Sequence, residues 1–138
     1  MTLFKLAILT PYRLLYSASA ESLRFVTSDG QIEILAGHEP FVAPVAIGAV
    51  RIRGPEGERV AAVSEGVATI RPDRVELLID AAEWPEEIDA PRAAAALERA
   101  KKRLETETMP WEIERSRDAA ARAGNRVAVA ALAPSARG

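Results

Sequence analysis

The apolar residues of this chain keep one period up to Asp80 and another after Trp84-Pro85, and that change rules out a fold made of one kind of layer. Before it, short runs alternate. Phe4, Leu6 and Ile8 share one side of an extended segment, as do Leu23 with Phe25, Ile32 with Ile34, and Val50 with Ile52, the last pair interleaved with Arg51 and Arg53. "RVAAV", "VATI" and "RVELLI" repeat the habit. Turn-forming clusters separate the runs at Ser28-Asp29-Gly30, Gly37-His38-Glu39-Pro40, Gly54-Pro55-Glu56-Gly57, Ser64-Glu65-Gly66 and Pro72-Asp73. No helical period separates the strands, so the pattern predicts an antiparallel sandwich or barrel over residues 1–84 and excludes a doubly wound α/β sheet.

Residues 85–138 follow a helical period. Asp89 can cap free amides, and Pro91 fits a first turn where its missing N–H has no partner to lose. Ala93, Leu97, Ala100 and Leu104 then form one narrow stripe, broken at Pro110. A second helix is predicted from about Glu112 to Leu132, with a weak stripe of Ile113, Ala120, Ala123 or Gly124, Val127 and Ala131; "APSARG" reads as a frayed tail. Two helices across a short break predict an antiparallel hairpin. Its stripe is mostly alanine, each methyl contributing ~0.8 kcal/mol on burial against ~1–2 kcal/mol per residue of backbone ordering. The expectation is a rigid β unit carrying a weakly held helical arm.

Chemistry is sparse. Cysteine is absent, which excludes disulfides and thiol catalysis. The lone histidine, His38, cannot build a His/Cys metal site. "AVSEGV" lacks the glycine before Ser64 that a nucleophile elbow needs, and "RGPEGER" lacks the lysine of a phosphate loop. No catalytic residue and no metal site is assigned. A net charge of −2 gives no pull toward nucleic acid. "LFKLAIL" is too short to span a membrane and has no cleavage site after it, so the chain is expected to be soluble and not exported. A stand-alone β-sandwich binding module with a helical tail is the competing class; with seven aromatics, several at inward-looking positions, the chain has few to spare for such a surface.

Four stretches, in order, resemble the epsilon subunits of bacterial F-type ATP synthases: "ILTPYRLLYS" (Ile8–Ser17), "DGQIEILAGHEPFVAPVAIGAVRIR" (Asp29–Arg53), "AVSEGVATIRPDRVELLIDAAE" (Ala62–Glu83) and "IDAPRA" (Ile88–Ala93). The resemblance covers nearly the whole chain; Glu65 departs from a family turn that has glycine there. It implies a β-sandwich of about ten short antiparallel strands followed by a two-helix antiparallel hairpin. It also implies a non-catalytic subunit of the rotor stalk, peripheral on the cytoplasmic face of the bacterial plasma membrane. Such a subunit binds the gamma subunit, touches the polar loops of the c-ring and helps couple proton or sodium flow to ATP synthesis. Its hairpin extends toward the alpha and beta catalytic subunits to block ATP hydrolysis. By the same resemblance, Asp29, Gly30, Gln31 and Ile32 form the loop facing the c-ring. Relatives are often acidic where Gln31 stands and have glycine where Glu33 stands, so the charge has moved two positions along one face. His38 is a candidate subunit contact, with a plain turn residue the simpler reading.

Some of these subunits bind one regulatory ATP through an Ile/Leu-Asp-x-x-Arg-Ala motif and further arginines. Ile88, Asp89, Arg92 and Ala93 match the motif, and Glu83, Arg99, Arg122 and Arg126 occupy matching positions. No cofactor is required for a subunit of this kind, and ATP would bind without need of magnesium. A cation in the first helical turn, as at Arg92, is unfavourable unless an anion offsets it. Arg122 and Arg126 stand four apart and Arg92 and Arg99 seven apart, so each pair shares a helix face. Antiparallel pairing would carry the second pair back toward the first, and guanidinium groups suit phosphate. Solvated helix faces also carry arginines routinely, as Glu98 with Lys102 illustrates for charges in general, and acidic segments of the catalytic subunits are a further destination for these four.

Overall fold

The computed structural model describes residues 2–133, and the proposed tail from Pro134 onward lies outside them. Two compact units emerge, Met1–Glu83 and one beginning at Trp84, one residue before the boundary expected from the period change. The first holds ten strands: β1 (Phe4–Leu9), β2 (Leu14–Ala20), β3 (Ser22–Thr27), β4 (Gly30–Leu35), β5 (Phe41–Val45), β6 (Gly48–Gly54), β7 (Gly57–Val63), β8 (Gly66–Ile70), β9 (Arg74–Ile79) and β10 (Ala82–Glu83). They form two five-stranded sheets, ordered β2-β1-β9-β8-β5 and β10-β7-β6-β3-β4. Phe4, Leu6, Ile8, Val75 and Leu77 of the first sheet and Leu23, Phe25, Ile34, Val50 and Ile52 of the second are buried, as the alternation requires.

One pairing corrects the expectation of a wholly antiparallel sandwich. β1 runs parallel to β9, from Lys5 opposite Arg74 to Leu9 opposite Leu78. No hairpin turn joins these two strands, so nothing local fixes their relative direction. β1 is thereby inserted between β2 and β9, and β2 and β5 form the edges of the first sheet.

The connections fall at two ends. At one lie the turns β1–β2, β3–β4, β5–β6, β7–β8 and β9–β10, tied by Ala46 N–H to the Val26 carbonyl (2.8 Å) and Asp80 N–H to the Glu65 carbonyl (3.0 Å). At the other lie β2–β3, β4–β5, β6–β7 and β8–β9, tied by Gly37 N–H to the Pro72 carbonyl (2.8 Å) and Lys5 N–H to the Asp73 carbonyl (2.9 Å).

The second unit opens with a 3₁₀ turn, Pro85–Glu87, whose Glu87 carboxylate accepts the Trp84 N–H at 2.9 Å. Helix α1 spans Ala90–Thr106 and α2 spans Pro110–Ala130. Asp89 is the N-cap of α1, its Oδ1 accepting the Arg92 N–H at 3.1 Å. Pro110 starts α2 instead of merely ending α1, because a first-turn proline loses no hydrogen bond. The helices are antiparallel. Leu97 Cδ1 lies 3.9 Å from where a Cβ on Gly124 would stand, and Ser116 bonds to Glu107, so positions rising along α1 meet positions falling along α2. Ala93 and Ala100 are buried on α1; on α2 the buried residues are Ser116, Ala123 and Val129. The expected stripe of α2 is corrected at Ala131, which is exposed at the C-cap, one residue past the last turn. Glu98 pairs with Lys101 (3.8 Å), not Lys102. Of the aromatics, Tyr12, Phe41 and Trp111 face solvent, more than the alternation suggested.

Gly66 admits no side chain. A Cβ there would overlap the Leu78 carbonyl oxygen and stand 2.7 Å from Ile79 Cδ1. Gly66→Ala is therefore expected to destabilise the sandwich by about 3 kcal/mol, since backbone cannot yield as a side chain does. Gly124→Ala, whose Cβ would meet only Leu97 Cδ1 at an ordinary van der Waals distance of 3.9 Å, should stabilise the arm by about 0.5–1 kcal/mol. Urea unfolding followed by circular dichroism would check both; a tolerated Gly66→Ala would contradict the packing at β8–β9.

Candidate functional site

On the arm, each candidate arginine directly precedes a residue of the interhelix stripe: Arg92 before Ala93, Arg99 before Ala100, Arg122 before Ala123, Arg126 before Val127. One residue is 100° of rotation. In an antiparallel pair the same offset on both helices lands on the same side, so all four arginines share one side of the hairpin, opposite Leu97 and Gly124. The register set by Leu97 and Gly124 puts Arg99 level with Arg122, and Arg126 about 4.5 Å along the axis from Arg92. Arg92, Arg99 and Arg122 are exposed and Arg126 is half-buried. Among the described residues the Arg92 and Arg99 side chains have no carboxylate partner.

The remaining motif residues play other parts. Asp89 spends its carboxylate on the cap. Ile88 and Ala93 are buried, so they pack the start of α1 and present nothing to solvent. Glu83 belongs to the other unit, in β10 opposite Ala62.

On the sandwich, the structure separates residues that the sequence grouped. Asp29 and Gly30 form the β3–β4 turn, clamped by Thr27: its Oγ1 accepts the Asp29 N–H (3.2 Å) and donates to the Gly30 carbonyl (2.8 Å). Gly30 takes φ 122°, the left-handed region that favours glycine. His38 sits at the opposite end, its Nδ1 2.8 Å from the Glu39 carbonyl and its ring 4.9 Å from that of Phe41. A six-residue strand spans about 20 Å, so one loop of a partner cannot touch both. Gln31 is exposed and Ile32 half-buried on β4. Glu33 lies directly opposite Arg24 and pairs with it at 2.7 Å, so its charge is already partnered.

Two features escaped the sequence reading. The outer face of the first sheet carries an apolar row across all five strands, Leu14–Leu9–Leu78–Val67–Pro44 in register. Leu14 is 56%, Leu78 53% and Val67 44% exposed. The signal was the apolar doublets Ile8-Leu9, Leu14-Leu15 and Leu77-Leu78, each with one member outside the core. Beside the row, Tyr12 is 91% exposed on a turn held by Thr10 Oγ1, which accepts the Tyr12 and Arg13 N–H groups (3.2 and 3.1 Å). Open clefts of about 570 and 530 Å³ flank β2, away from both regions' key side chains. Burial pushes the Tyr16 hydroxyl in the first of them above its ordinary pKa.

The family model described as "ATP synthase, Delta/Epsilon chain, beta-sandwich domain" matches residues 3–85. The chain belongs to the ATP synthase delta/epsilon family. It is similar to the ATP synthase epsilon chain of Caldicellulosiruptor saccharolyticus, 43% identical over 92% of this chain and 93% of that one. That of Ruminiclostridium cellulolyticum is 46% identical over 89% and 92%, and that of Bacillus licheniformis 41% identical over 94% and 99%. Within the family this is an epsilon chain. Its fold matches a chain in the Euglena gracilis mitochondrial ATP synthase, TM-score 0.82, 22% identical, over 96% of this chain and 83% of that chain.

For this epsilon chain the Asp89 cap holds Arg92 at the first turn of α1. Asp89→Ala is expected to destabilise the arm by about 1 kcal/mol. Amide exchange should quicken at Ala90–Ala93 and little elsewhere; unchanged exchange there would show that Asp89 does not cap the helix.

Proposed function

We propose that this chain is a non-catalytic subunit of the rotor stalk of an F-type ATP synthase, attached through its sandwich and regulating hydrolysis through its arm. The observation that carries the reading is the apolar row on the outer face of the first sheet. A transverse band of solvent-facing leucine and valine is what a chain holding a permanent partner presents. The partner is the gamma subunit. The clamped Asp29–Gly30 turn stands at the same end of the sandwich as the row and is the c-ring contact, its backbone pre-set and its carboxylate exposed. His38, at the other end, is left out of that contact. The bacterial relatives support a place on the cytoplasmic face of the plasma membrane. The contact there is peripheral, and among the described residues no helix is long and apolar enough to cross a membrane. Leu78→Glu with Val67→Glu should lower co-purification of gamma more than tenfold, by placing unpaired charge in a dry contact, while the far-ultraviolet circular dichroism stays unchanged. Full recovery of gamma with the double variant would sink the assignment.

A second reading rests on the arginine side of the arm. Arg92, Arg99, Arg122 and Arg126 together suit the phosphates of one ATP, which would hold the hairpin folded; without it the arm extends toward the alpha and beta subunits. No metal is needed, because the guanidinium groups supply the countercharge. Calorimetry on the isolated chain in EDTA should show ATP binding, weakened about tenfold or more by Arg92→Ala. Absence of heat at millimolar ATP would remove the idea.

A further inference from the structure

We propose that Ser116 and Glu107 form a clasp at the joint of the arm, which sets how readily α2 leaves α1; this rests on reading the hairpin as mobile. Ser116 is 4% exposed and is the one buried polar side chain among the described residues. Its Oγ donates to the Glu107 carboxylate, 2.7 Å from Oε1 and 3.0 Å from Oε2. The other fully buried residues of the interhelix stripe, Ala93, Ala100 and Ala123, meet without directional bonds. A buried hydroxyl on a carboxylate is therefore a charge-assisted, oriented contact between the helices.

The position of Glu107 points the same way. It is the C-cap residue of α1, where the helix dipole is negative and a carboxylate is unfavourable. Among the described residues it has no ion-pair partner. The Ser116 hydroxyl is the donor that offsets its placement. Glu107 and Ser116 also straddle the connection between the helices, so their bond closes a short loop and costs little chain entropy to make. It must break before α2 can swing away. The clasp lies about 15 Å along α2 from Arg126. The arm thus has two latches: one at its joint, independent of ligand, and one at its far end, where the arginines gather.

The chain has no cysteine, so Ala94→Cys with Ala128→Cys gives a clean pair for spin labels. Both positions are exposed and, on the register above, neighbours on the side away from the arginines. Pulsed electron spin resonance on the assembled synthase without ATP would read the populations of short and long distances. Ser116→Ala should raise the long-to-short ratio about tenfold. Glu107→Ala should do the same, and the double variant no more than either alone, because both remove one bond. Ser116→Ala keeps a small buried residue, so helicity by circular dichroism should not fall. If the arm opens in the parent protein and Ser116→Ala leaves the ratio unchanged, or if the two effects simply multiply, the clasp is wrong and the mobile arm stands. If the arm stays closed in every variant, the mobile arm and the clasp fall together.

Discussion

Small side chains along one stripe of each helix govern what the arm can do. Ala93, Ala100, Ser116 and Ala123 let α1 and α2 approach closely while burying little apolar surface. Each methyl contributes roughly 0.8 kcal/mol, and ordering a residue costs about 1–2 kcal/mol. A contact this thin leaves the folded hairpin within reach of effects the size of one hydrogen bond or one bound anion. The same stripe also fixes the arginines. Because Arg92, Arg99, Arg122 and Arg126 each stand one residue before it, the antiparallel pairing turns two separate helix faces into a single cationic side.

The sandwich is built on the opposite principle. Phe25, Leu6, Ile8, Leu23 and Ile52 are essentially fully buried, and the core is filled by long aliphatic and aromatic side chains from both sheets. At the end that carries Asp29 and Tyr12, the turns are stiffened by side-chain bonds from Thr10, Thr27 and Ser64. Stiff turns and a firm sheet suit a surface that must hold a partner without deforming. On the proposed function, a rigid unit would bind and a thin unit would open, a division that suits a chain attached while it regulates.

Much of this was legible in the sequence, for local reasons. Alternation at Phe4-Leu6-Ile8 or Val50-Ile52 reports a buried face directly, and Asp89 with Pro91 marks a helix start whatever surrounds it. What was hidden depends on partners distant in the chain. Nothing near β1 says that it will lie parallel to β9. β5 carries Pro44, which suits an edge strand but blurs its pattern, and β2 reads as small and polar at Ser17-Ala18-Ser19. Ser116, flanked by Arg115 and Arg117, looks like a surface residue until α2 is set against Glu107. The arginines were recognisable as types and spacings, whereas their common side depends on the register of the two helices.

On the proposed function, one half of this chain is held fast in the synthase while the other half opens. Hydrogen exchange on the intact complex, compared with the isolated chain, tests it directly. Strong added protection is expected at Leu9, Val67 and Leu78 with or without ATP, along with exchange in α1 and α2 that slows when ATP is present. Unaltered exchange on the outer sheet, or an arm equally protected in both conditions, would contradict it.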